Sequence, residues 1–308
     1  MGRAIHRLLA ISIHALILAD PVGKTAYENL KPQTKKGILP TFELCWRPKA
    51  HNFEHSLEVL RAAATEHPFL LDIDKRMAPE PYISSNPKDP LADKLRYQQD
   101  LRAKRSFDAE VKKLLRPTDG FFNWRELVSH FPTAVPVLQV TNPNRDRQDV
   151  LRQAQLLCVG GASAALRITD VATREVCALA ADIILSLDDP TQLLLIFDCG
   201  QGRTRLGQRS AFVKDALKSI QEAVGPERTK LLRAVCMSNS FRLPSHKGTR
   251  LSENYDWELW RQASVSGPLA FGDYAGSQRD NSHSSYRLWD YRATVVHSLP
   301  EGWLICRH

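Results

Sequence analysis

Leu193-Leu194-Leu195-Ile196-Phe197 runs without a polar side chain into Asp198-Cys199-Gly200-Gln201-Gly202-Arg203. A strand buried on both faces reads as such an unbroken apolar run, and a carboxylate followed by two glycines marks its passage into a loop. The figure recurs outward in both directions. Towards the N-terminus stand Ala164 to Thr169 with Arg167, Ala134 to Thr141 with Gln139, Phe69-Leu70-Leu71-Asp72-Ile73-Asp74, and Gly37 to Trp46 with Glu43, preceded by Ile13 to Ala19. Towards the C-terminus stand Leu231 to Ser238 and Leu269 to Tyr274, the latter carrying Asp273.

Helical spacing fills the intervals. Apolar side chains recur at three- and four-residue steps in Asn52 to Thr65, Ala92 to Leu115, Trp124 to Phe131, Asp146 to Val159, Thr173 to Leu187, Ser210 to Val224 and Ser252 to Gln262. Ser210 reads as the N-cap of its helix. Eight strand segments alternating with helices predict one (β/α)8 TIM-like barrel over residues 1–308, with an open doubly wound α/β sheet as the alternative. Residues 76–131 exceed what one βα unit needs and read as an insertion or partner-binding segment. Arg292 to His297 and Gly302 to Arg307 predict a C-terminal β-hairpin within 292–307.

Composition sets the outer bounds. The 308 residues are 43% hydrophobic and 25% charged, enough apolar material for a sizeable core. The formal charge of +8 is spread over scattered lysines and arginines rather than a tail, which reads as a solvated basic surface. Direct nucleic-acid binding is therefore the weaker of the anionic-partner readings. Six cysteines lie far apart with no CxxC pair, so the sequence signals neither a zinc site nor a disulfide framework and fits a reducing cytoplasm. Leu8 to Ala19 is too short to span a bilayer and is interrupted by His14, so it reads as a first strand rather than a signal or anchor, and no membrane association is expected.

Short motifs add little. Gly23-Lys24-Thr25 has Leu18 where a phosphate-binding loop needs its first glycine. His6, His14, His51, His55, His67 and His130 share no HxH or HExxH spacing, which argues against paired-histidine zinc chemistry.

The chemistry resides in the strand ends. In a barrel, Glu43, Asp72, Asp74, Asp198 and Asp273 would face one mouth as catalytic candidates, with Arg167, Arg203, Gln139, Ser238 and Tyr274 as ligand-binding candidates. Several carboxylates in a partly dry pocket need a counter-charge or shared protons. Arg167 offers one. The remaining acid points to a divalent cation with oxygen ligands such as magnesium, to a cationic ligand group, or to an acid with a raised pKa.

Ser238-Asn239-Ser240-Phe241-Arg242, Tyr255-Asp256-Trp257-Glu258-Leu259-Trp260, Phe271-Gly272-Asp273-Tyr274 and Trp303-Leu304-Ile305 follow one another through the C-terminal third. In that order they resemble the phage beta-protein family, with its SFP-like turn, R-x-E-W-x-L-W-like helix, GDY segment and terminal W-L-I strand. Ile38 to Leu44, with Pro40 and Glu43, is similar to the family's IIPLFE segment. The chain departs from the family's opening Y-x-P-x-L-K-x-K and G-E pattern, having His14, Leu16, Leu18, Ala19, Pro21, Gly23 and Lys24 there. The proline of the SFP-like turn is displaced to Pro244.

The resemblance implies an origin in phages, prophages or mobile defence islands, a role in phage–host conflict, and other phage or defence proteins as partners. It leaves the chemistry open. Two readings compete. One is a hydrolase-type enzyme whose acids, with or without a metal, act on a phosphorylated or nucleotide-like ligand. The other is a non-catalytic sensor or assembly module.

Overall fold

The structure, a computed structural model, describes residues 14–18, 29–45, 53–63, 67–75, 90–170, 173–201, 205–239, 248–273, 294–299 and 302–307. After the first strand, β1 (His14–Leu18), the chain divides into two compact units, Ile17–Ala164 and Gly2–Leu16 with Ala165–His308.

In the first unit α1 (Pro32–Lys36) leads to β2 (Thr41–Leu44), α2 (Phe53–Ala63), β3 (Phe69–Ile73), α3 (Pro90–Leu114), α4 (Thr118–Ser129), β4 (Ala134–Pro136) and α5 (Arg147–Leu157). The strands pair in parallel in the order β4-β3-β2. Every residue of β2 and β3 is buried, the reason both read as continuous runs rather than alternating ones. Phe42, Phe69 and Phe131 stack edge to face, with centroids 5.4 and 6.5 Å apart. Trp124 of α4 is fully buried, and its indole N–H donates to the Val137 carbonyl at 3.1 Å.

The start of α4 is wound left-handed through Asp119, Gly120 and Phe121, with φ near 55–64°. At Gly120 this brings the backbone against α5, where an added Cβ would stand 3.1 Å from the Gln153 backbone nitrogen. Glycine is the residue that supplies both the conformation and the space.

The second unit continues with β5 (Ala164–Thr169), α6 (Thr173–Ser186), β6 (Leu193–Gln201), α7 (Leu206–Val224), α8 (Pro226–Thr229), β7 (Arg233–Asn239), β8 (Gly248–Ser252), α9 (Tyr255–Ala263), β9 (Ala270–Asp273), β10 (Thr294–Leu299) and β11 (Gly302–Arg307). Parallel pairing joins β9 to β7 and β7 to β6, with β5 beside β6, while His14 and Ala15 of β1 pair with Gly272 and Asp273 of β9. A separate antiparallel sheet runs β10-β11-β8, so the predicted hairpin gains a third strand.

The eight expected strand segments coincide with β1 to β7 and β9, but the closed eight-stranded barrel is overturned. The parallel ladders of defined register are two, β2-β3-β4 with three strands and β1-β9-β7-β6 with four. A closed barrel has no edges, whereas β4 pairs on one side alone. Pro136 in β4, lacking an N–H, is suited to such an edge. Apolar periodicity shows that a strand is buried, not which strand lies beside it. Ser210 is likewise corrected. It lies in the first turns of α7, donating to the Gly207 carbonyl at 3.0 Å, and the helix starts earlier, after Arg205 with φ +64°.

Candidate functional site

The common barrel mouth falls with the barrel, and each unit holds its own cluster of the expected residues. In the first unit, register sets Glu43 of β2 against Asp72 of β3, and registered residues of parallel strands share a face. Both are buried. Past the end of β4 the side-chain amide of Gln139 donates to Asp72 Oδ1 at 3.3 Å and to the Val137 carbonyl at 2.9 Å. Asp72 Oδ1 also accepts from the Ile73 N–H at 2.7 Å. The Gln139 backbone N–H donates to Gln153 Oε1 at 2.8 Å, tying α5 to the strand end. Gln139 and Gln153 are both fully buried, yet Gln139 Oε1, Gln153 Nε2 and the hydroxyl of Thr41, two residues before Glu43, have no hydrogen-bond partner among the described residues. Asp74 is half-buried, and its N–H donates to the Leu44 carbonyl at 2.9 Å.

Beyond β4 a tight turn is organised by Asp146. Its carboxylate accepts from the Asn142 N–H at 3.0 Å, the Thr141 hydroxyl, and Arg145 Nε at 2.8 Å. The Arg145 hydrogen bond is the largest influence holding this carboxyl below its ordinary value. Thr141 and Asn142 act in the same direction, and burial opposes them.

In the second unit Arg167 of β5 meets Asp198 of β6. Arg167 Nε donates to Asp198 Oδ2 at 2.8 Å, and Nη2 stands 2.6 Å from the same oxygen as an ion contact rather than an aligned hydrogen bond. The side chains are 16% and 7% exposed, so the pair lies largely out of water. Asp198 Oδ1 accepts from the Gly200 N–H at 2.8 Å, a turn made possible by φ +64° at Gly200 where β6 slips register against β7.

Asp198 registers with Met237, and Met237 with Gly272, where an added Cβ would lie 2.7 Å from the Met237 side chain. Gly272 leaves the room that Met237 occupies. Ser238, one residue on from Met237, points to the opposite face from Asp198 and donates to the buried Asp256 of α9 at 2.7 Å. The structure therefore does not bring Ser238 to Asp198.

Asp273 registers with Ser238 through its backbone. Its side chain lies outside the described residues, as do Arg203, Tyr274 and the Gly23-Lys24-Thr25 tripeptide. Among the described residues no three His, Cys, Asp or Glu side chains come together as a metal-binding set.

The cysteines supply no nucleophile here. Cys199 and Cys236 sulfurs lie 4.0 Å apart. The Cys236 thiol is pushed well up by its contact with Cys199, by burial, and by the Asp256 and Asp198 carboxylates. Burial pushes Cys158 and Cys177 up to about 11. Thiols held in the protonated form are poor nucleophiles.

Three participants escaped the sequence reading: Gln153, Asp146 and Asp256. Asp256 left a signal, since it occupies a helical position shared with the buried Leu259 and Ala263 and so required a polar partner inside. Gln153 gave a similar hint beside Val150 and Ala154 on α5. No helix of the described residues is long and apolar enough to cross a membrane.

Comparison with known proteins bears on the whole chain. It is 26% identical over 230 residues to the protein named Protein beta of Enterobacteria phage P4, an alignment covering 75% of this chain and 54% of that protein. The chain thus spans about half the length of the curated relative it matches. The family model described as Beta protein matches residues 23–308, and the chain belongs to the Beta protein family.

Proposed function

We propose that this Beta protein family member works in phage–host conflict by binding a phosphorylated or nucleotide-like ligand at the carboxyl ends of β5 and β6. Arg167 supplies the positive charge that meets the phosphate, and Asp198 aims the guanidinium. Proton handling falls to Asp198 or, in the first unit, to Glu43. In sequence Arg203 follows close behind as a second cation.

The observation that carries this reading is the largely buried Arg167–Asp198 pair beside a slipped register. Such pairs add little stability over apolar residues of the same volume, so their presence asks for another use. The carboxyl ends of parallel strands are also where open α/β sheets present ligands. Kinship with a phage protein supports the biological setting.

The test is calorimetric titration of the full chain with inorganic phosphate, AMP and ATP, repeated on Arg167→Met and Asp198→Asn. Saturable binding weakened at least about tenfold in Arg167→Met, roughly 1.4 kcal/mol, is expected. Absence of binding to all three, or binding indifferent to Arg167, rejects the reading.

One observation favours assembly with another phage or defence protein instead. Leu91 and Leu95, one turn apart on α3, are 68% and 54% exposed in an otherwise highly charged helix. Under that alternative Leu91→Glu with Leu95→Glu abolishes activity in a phage-challenge assay, while Asp198→Asn leaves it intact.

A further inference from the structure

We propose that the first unit binds one hard divalent cation, of the magnesium, manganese or calcium type, through Glu43, Asp72 and the side-chain oxygen of Gln139. The proposal concerns residues 17–164 alone and does not depend on the phosphate reading.

Two carboxylates set side by side would not by themselves make a site. The additional observation is Gln139. Its amide nitrogen is committed to Asp72 Oδ1 and the Val137 carbonyl, which fixes the orientation of the group and leaves Oε1 as the opposite atom. That oxygen is fully buried and has no hydrogen-bond partner. A buried carbonyl oxygen without a donor costs about 1–3 kcal/mol, so it marks a place where something is accepted.

The donors offered are all oxygen: the Glu43 carboxylate, the Asp72 oxygen not engaged by the Ile73 N–H, and the Gln139 amide. The Thr41 hydroxyl lies one pleat away on the Glu43 face. Oxygen-only sets with two carboxylates suit hard cations and are a poor match for zinc, which prefers nitrogen and sulfur. Because only two of the donors are carboxylates, the set differs from a cluster of three acidic or histidine side chains. An internal water could satisfy Gln139 Oε1, and the experiment separates the two occupants.

The full chain, stripped with chelator, is titrated with Mn2+ alone and followed by calorimetry and by the electron paramagnetic resonance of free Mn2+. One ion per chain is expected. Affinity should fall in Glu43→Gln and rise about tenfold in Gln139→Glu, which adds a third charged oxygen, since ligand charge count tunes such sites. Far-UV circular dichroism checks that each variant is folded. If Glu43→Gln unfolds, Gln139→Glu alone decides the matter, because a water site gains nothing for Mn2+ from that change. No saturable Mn2+ binding, or binding that Gln139→Glu fails to strengthen, overturns the proposal. Phosphate binding at Arg167 is unaffected by either result, so the two readings fail separately.

Discussion

Asp72 and Asp198 occupy equivalent places in the two units, each near the carboxyl end of a central parallel strand with one oxygen held by a nearby backbone N–H. They differ in what faces the carboxylate. Asp72 meets the neutral amide of Gln139, while Asp198 meets the guanidinium of Arg167. The second arrangement is an ion pair that depends on both members, because removing either leaves a charge stranded away from water. The first has no such dependence on its amide partner, and its free amide oxygen leaves it able to accept something more. One fold position has thus been fitted out for two chemistries.

The largest effect should come from breaking the pair. Asp198→Leu leaves the Arg167 charge in a largely buried site and is expected to cost about 3–5 kcal/mol in urea unfolding. Adding Arg167→Met to Asp198→Leu should recover most of that loss, since well-packed apolar residues replace buried pairs at little cost. If the double variant is as unstable as the single one, Asp198 acts through its bond to the Gly200 N–H and not through charge, and the contrast with Asp72 disappears. Gln139→Leu is the matching change in the first unit. It removes a neutral hydrogen bond to Asp72 and one to Val137, and should cost about 1–3 kcal/mol. A loss as large as that in Asp198→Leu would show that Asp72 relies on its amide as heavily as Asp198 relies on its guanidinium.

The elements of this contrast were readable in sequence to different depths. Apolar runs such as Leu193 to Phe197 and Phe69 to Ile73 revealed their strands because burial on both faces leaves no polar position in the run. The acids at their ends were visible for the same reason. What faces each acid was not, because Gln139 reaches Asp72 from 67 residues away and Arg167 reaches Asp198 from 31. Local periodicity is silent on such pairings. It is equally silent on closure, which is why the same strands fitted a barrel on paper. Gly248–Ser252 was passed over because its polar composition lacks a strand signature, and it becomes β8 only by pairing with β11.

Asp146 sharpens the comparison with a third kind of partner and the smallest expected effect. It too has a guanidinium, but that of Arg145 is 72% exposed, where Arg167 is 16% exposed. The Arg145 bond, with Thr141 and Asn142, holds the Asp146 carboxyl below its ordinary value of 3.8. A group whose folded pKa is depressed contributes stability that is complete above the unfolded value and is lost as pH falls through the folded one. The stability gap between the natural chain and Asp146→Asn should therefore be widest near neutral pH and narrow as acid is added below 3.8. Urea midpoints at a series of pH values measure it, and a gap independent of pH would mean that hydrogen-bond geometry alone, which asparagine largely keeps, holds the turn. Added salt should erode the Asp146 contribution, because an exposed guanidinium is screened over about 10 Å at 0.1 M, while a largely buried pair such as Arg167–Asp198 is screened much less. Equal salt sensitivity of the two pairs would mean that Asp198 stands in water as open as that around Arg145, and the cost assigned to breaking its pair would have to shrink accordingly.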